Sequence, residues 1–111
     1  MEHEKLICYQ NLLKLAQAIG QECTGWARGH GYLADQIKRA IASAILNLAE
    51  GNGKDIRGKD RKRFFKISLG SMAEVAACLD LALVFHLSSK ERLQSQKAQL
   101  KHCYYQIRRL P

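Results

Sequence analysis

The chain has 111 residues, 47% of them hydrophobic and 25% charged, with a formal net charge of +8. That length and apolar content suit one domain spanning 1–111 with its own core, and they exclude a disordered polyelectrolyte. Residues 1–53 are electrically balanced, so the whole excess of charge lies in residues 54–111. Such an asymmetry points to an anionic partner: the backbone of RNA or DNA, or an acidic protein surface.

The only proline is Pro111, and the glycines fall between residues 20 and 31 and between 51 and 58, with Gly70 as the exception. Long stretches free of both residues favour helix, and no useful period-2 alternation suggests a sheet. The start, MEHEKLICYQ, is acidic and then amphipathic, unlike a secretory leader. The most apolar run, Val75 to Leu87, is broken by Asp80 and His86 and is shorter than the roughly 20 residues that span a bilayer. A cytoplasmic protein without membrane association is expected.

Four helices are predicted. The first runs from about Glu2 to Cys23, with Tyr9, Leu12, Ala16, Ile19 and Cys23 as its apolar stripe and Leu6 and Leu13 widening it. Gly25, Gly29 and Gly31 then form a loop that Trp26 and Tyr32 plug. The second helix runs from about Tyr32 to Glu50 and turns Leu33, Ile37, Ala40, Ile41, Ala44, Ile45 and Leu48 to the core. Gly51 is placed at a left-handed C′ position. The third runs from about Gly58 to His86 and carries two stripes: Leu69, Met72, Ala76, Leu79 and Leu83, and then Ile67, Cys78, Leu81 and Phe85. Val75 and Ala82 lie between them. A helix apolar on so many sides implies a subunit contact, hence a homo-oligomer. Ser89 is the expected N-cap of the fourth helix, whose inner face carries Leu93, Leu100, Tyr104 or Cys103, Ile107 and Leu110. Short connections make this an all-α, up-down-up-down antiparallel four-helix bundle.

Beside the core face of the second helix runs a polar stripe, Gln36, Arg39, Ser43, Asn47 and Glu50, at steps of three and four. Gly70, Ser71 and Glu74 interrupt the third helix. In an antiparallel hairpin, residues whose numbers sum to about 110 sit level. That register places Gln36 opposite Glu74, Arg39 opposite Ser71 and Ala40 opposite Gly70. It predicts an Arg39–Glu74 ion pair, hydrogen-bonded by Ser71 and Gln36, and a close helix approach at Gly70. Glu50 is expected to pair with Lys62 or to cap the third helix. These residues are read as a structural polar network that sets register.

Lys54, Arg57, Lys59, Arg61, Lys62, Arg63 and Lys66 face only Asp55 and Asp60. Bundle topology brings Arg108 and Arg109 to the same end. This basic pole is the candidate nucleic-acid-binding site, expected to grip phosphates with little sequence preference. Phe64 and Phe65 lie among the charges and are read as core residues rather than base-stacking platforms. Gly51-Asn52-Gly53-Lys54 follows a helix and lacks the full phosphate-loop spacing, so it is read as a cap and turn. The four histidines and four cysteines show no metal spacing, and the cysteines are expected to be buried thiols. No nucleophile–base pair or carboxylate pair converges, so neither catalytic residues, cofactor nor metal is expected.

The segment Gln36-Ile37-Lys38-Arg39-Ala40, then Ser43, then Asn47-Leu48-Ala49-Glu50-Gly51 resembles the hallmark of the bacterial four-helix-bundle proteins encoded in 23S rRNA intervening sequences. Gly70-Ser71-Met72-Ala73-Glu74 resembles that family's second motif, and Arg63-Phe64-Phe65 its basic-aromatic lead-in. The likeness covers roughly residues 9–87. It implies a small cytosolic bundle that assembles into a pentameric ring and associates with RNA or the ribosome. It also implies a relation to the accessory proteins of diversity-generating retroelements, basic pentameric barrels that bind nucleic acid and a reverse transcriptase. An interaction scaffold that docks an acidic partner is the competing reading of the charge.

Overall fold

The computed structural model describes residues 1–111. A 3-10 turn at Glu2–Lys5 precedes four helices: α1 (Ile7–Thr24), α2 (Gly31–Asn52), α3 (Lys59–Val84) and α4 (Lys90–Arg108). The helices pack in cyclic order, each against its neighbours in sequence, with α4 closing on α1. The result is an up-down-up-down bundle of about 46 × 23 × 21 Å.

The core is continuous and drawn from all four helices. On α2 the buried face is the expected one, Leu33 to Leu48, extended by Gly51. The other helices are rotated slightly from the sequence reading. In α1 the buried positions are Cys8, Leu12, Leu15, Ile19 and Cys23, while Tyr9 and Ala16 sit at the rim and Leu13 is exposed. In α3 the core line is Phe65, Ser68, Met72, Val75, Leu79 and Ala82, together with Cys78. It runs between the two predicted stripes, so Ile67, Leu81 and Phe85 are exposed and Leu69, Ala76 and Leu83 are half-buried. In α4, Cys103 rather than Tyr104 points inward, with Leu93, Gln96, Leu100 and Ile107. Length and composition alone would let α3 cross a membrane; in the bundle its inner line is core.

Helix ends follow local chemistry, with corrections. Leu6 is extended (φ −72°, ψ 127°), so the first helix begins at Ile7, not Glu2. The Ser89 hydroxyl accepts a hydrogen bond from the Arg92 amide at 3.1 Å, as an N-cap should. Trp26 packs against the core, but Tyr32 is exposed. Gly51 is not a left-handed cap; α2 continues through it to Asn52, and Gly53 ends the helix at φ −83°. Gly51 is a glycine for space: a Cβ there would lie 2.7 Å from Phe65 Cδ1 and 3.1 Å from Phe64 Cβ. Gly70 has nothing within 4 Å of its Cβ position, so the close approach lies at Gly51, one end of the hairpin, and not at its middle.

The four cysteines are free and buried. Burial raises all four thiols, and Cys103, near Cys8, is pushed up to about 11. Above the ordinary thiol value the unfolded chain ionises before the folded one. The thiols' contribution to stability is therefore expected to be level just below pH 9 and to fall between pH 9 and about 11, read by urea unfolding across that range. Gly51→Ala is expected to cost about 1–3 kcal/mol by driving a methyl into Phe65. Gly20→Ala meets open space within α1 and is expected to stabilise by up to about 1 kcal/mol. Equal melting temperatures for the two variants would overturn the packing account.

Candidate nucleic-acid interface

The α2–α3 turn builds the basic end of the molecule. The Asp55 carbonyl accepts from the Gly58 amide at 2.9 Å, and its carboxylate accepts from the Arg57 amide at 3.0 Å. This double closure lets Lys54–Gly58 reverse the chain, after which α3 starts at Lys59.

Lys59, Lys62, Arg63 and Lys66 recur at i, i+3, i+4 and i+7, so one face of α3 carries them all. With Ile67 they line a shallow open trough of about 490 Å³. A single acid enters this face: Asp60 lies 3.7 Å from Arg63. The half-buried Phe64 ring has Arg63 at 4.7 Å and Lys54 at 5.6 Å from its centroid, so it holds two cations. Lys54 also reaches Glu50 at 3.3 Å, which replaces the expected Glu50–Lys62 pair.

Arg61 departs most from the sequence reading. It is only 7% exposed, because α3 turns it inward on the same face as Phe65. Its Nε donates to the Pro111 oxygen at 2.6 Å, and one NH2 group reaches the carbonyls of Gly51 (3.3 Å), Asn52 (3.1 Å) and Lys54 (3.4 Å). The guanidinium lies over Phe65 at 4.9 Å. No Asp or Glu side chain pairs with it; the carbonyls at the C-terminal end of α2 and the Pro111 oxygen carry the compensating negative charge. Arg61 is therefore a strut and is removed from the set of surface contacts. Its bond to Pro111 also brings the exposed Arg108 and Arg109 to the end that holds Lys54 and Arg57. The opposite end is marked by His30 and Phe85, whose rings are 5.6 Å apart.

The polar stripe lies along the outer α2–α3 seam, half-buried at its centre and exposed at both ends. Gln36 donates to Glu74, in the predicted register. The predicted Arg39–Glu74 pair is absent: Arg39 is exposed, and Glu74 takes the shorter amide of Gln36. Ser71 bonds the Ser43 hydroxyl at 2.7 Å, and Asn47 donates to the Ser43 hydroxyl and carbonyl. The sequence reading missed the innermost polar link, Ser68, whose hydroxyl donates to the Ala44 carbonyl at 2.6 Å. Its signal was a serine on the Phe65–Met72–Val75 line. No group of three or more His, Cys, Asp or Glu side chains is placed to hold a metal ion.

The family model of the 23S rRNA-intervening sequence protein matches residues 4–109. The chain belongs to that family. No curated protein matches it.

The buried guanidinium makes a sharp prediction. Arg61→Met is expected to destabilise the bundle by about 2–4 kcal/mol, since several carbonyls lose a charged donor. Arg61→Lys is expected to recover less than half, because one ammonium cannot serve carbonyls on both sides. Denaturant midpoints of both variants check this; a parent-like Arg61→Met would overturn it.

Proposed function

We propose that this member of the 23S rRNA-intervening sequence protein family is a non-enzymatic RNA-binding module that works as a homo-oligomer. The observation that carries the reading is the open trough of Lys59, Lys62, Arg63 and Lys66, with Asp60 as its one nearby acid. A row of cations on a rigid helix suits the regularly spaced phosphates of a nucleic-acid backbone. Such contacts release counterions, so affinity falls steeply with salt and tolerates sequence. Lys54, Arg57, Arg108 and Arg109 extend the positive surface around the same end.

The outer face of α3 supports the homo-oligomer. Gly70 is exposed in mid-helix, where glycine costs about 1 kcal/mol relative to alanine, and nothing in the chain occupies the space it leaves. Ile67, Leu81 and Val84 are exposed on the same helix, Val84 at 65%. Small and apolar residues together suit the close approach of a helix from a second copy. Assembly repeats the trough and raises avidity without new contacts.

Light scattering coupled to size exclusion, at low and high salt, with and without a short structured RNA, tests both parts. The expected result is a multiple of the 12.6 kDa chain mass that binds RNA only at low salt. The K59E/K62E/R63E variant is expected to lose about tenfold or more in RNA affinity, with unchanged helicity. Parent-like binding by that variant would overturn the trough assignment. A monomer at every salt would overturn the oligomer. Binding of an acidic protein with no RNA affinity would favour the scaffold reading.

A further inference from the structure

A second concavity lies next to the turn and shares no lining residue with the trough. It is a recess of about 820 Å³ between the N-terminal turn, α1 and the last turns of α2. Its floor is apolar, made by Ile45, Leu46 and Ala49, with Tyr9 in one wall. Leu46 is 68% exposed there, a large hydrophobe facing open space. One end is polar and carries Glu50, Asn52 and Lys54. Glu50 uses Oε1 toward Lys54 at 3.3 Å, which leaves Oε2 free, and the Asn52 carboxamide makes no hydrogen bond within the chain.

An apolar floor with solvent-facing polar groups along one edge matches an unpaired nucleobase, which is flat and apolar on its faces and polar on its rim. It does not match a phosphate, because Glu2 and Glu50 line the same recess. Lys54 joins the two features: it lines the recess and also lies over Phe64, the ring that Arg63 covers from the trough side. We infer that this recess is a nucleobase subsite and that it selects guanine. The inference rests on the RNA reading for the strand that delivers the base, but the recess shares only Lys54 with the basic surface.

The choice of guanine follows from hydrogen-bond polarity. A carboxylate only accepts. Guanine presents two adjacent donors on its Watson–Crick edge, N1–H and N2–H, which a carboxylate can accept together. Its O6 then faces the Lys54 ammonium or the Asn52 amide. Adenine places the acceptor N1 in that position, against the carboxylate. Uracil offers one donor flanked by two carbonyl oxygens. The exposed Glu50 carboxylate gains more from a base that brings two donors than from one that brings a single donor or an acceptor.

Titration of the full ¹⁵N-labelled chain with GMP, AMP and UMP tests the subsite directly. GMP is expected to shift the amides of Leu46, Ala49 and Glu50 and to bind about tenfold more tightly than AMP or UMP. Ribose 5-phosphate is expected to leave those amides unmoved. Glu50→Gln is expected to remove the preference, since an amide presents one acceptor beside a donor. Equal shifts for all three nucleotides, shifts confined to the trough, or no shift with GMP would each overturn the inference. The K59E/K62E/R63E variant separates the two proposals. It is expected to keep GMP binding, whereas the loss of GMP binding in that variant would show that the recess is no separate site.

Discussion

The bundle depends on one buried cation. Arg61 stands where α2 ends, where α3 begins and where the chain returns after α4, and its guanidinium touches all three. Removing a charge from water is costly, and here the charge is met by main-chain oxygens instead of an Asp or Glu side chain. The arrangement works only because α2 and α3 converge at that end. Gly51 has no side chain, so Phe65 reaches the α2 backbone and forms the floor on which the guanidinium rests. Glycine, phenylalanine and arginine are therefore one device: losing any of them loosens the turn that presents the surface charges.

Much of this was legible in the sequence. The α2 core face, the N-cap at Ser89, the burial of the cysteines and the level pairing of Gln36 with Glu74 all follow from periodicity and residue chemistry. What was not legible shares one physical cause. Helical periodicity fixes a face to within about one position, and the last fraction of a turn is set by packing across helices. In α3 two plausible stripes flanked the true one, and the true one contains Arg61 and Ser68. Hydrophobicity alone would not place either residue inside. Arg61 was grouped with its charged neighbours because a run of cations looks uniform along the chain; on the helix, its 3–4 spacing to Phe65 and Ser68 separates it from Lys62 and Arg63. Glu50 pairs with neither Lys62 nor the start of α3, because Lys54, in the turn just past the end of α2, reaches it first.

The polar stripe illustrates how a hairpin can be held in register without a buried ion pair. Ser68 reaches the Ala44 carbonyl in the interior, Ser43 and Ser71 meet at the half-buried seam, and Gln36 with Glu74 closes the outside. Polarity is graded from a single hydroxyl inside to a charged group at the surface. Each link is small and uncharged where desolvation is severe, and the carboxylate sits where water can reach it. A one-residue slip of α3 would misplace all three links together.

The position of Arg61 also shapes the electrostatics around it. An α-helix ends in a partial negative charge, and the end of α2 faces the solvent that the basic residues share. The buried guanidinium sits on those carbonyls and covers them. Beside it, Gly58 precedes α3 and offers no side-chain cap, so the first amides of α3 keep the opposite polarity toward the same region. One helix thus contributes the positive end of its dipole while its neighbour's negative end is masked. An anion that approaches the turn meets less of the opposing dipole than two antiparallel helices would by themselves present, although Asp55 and Asp60 stand beside the cations.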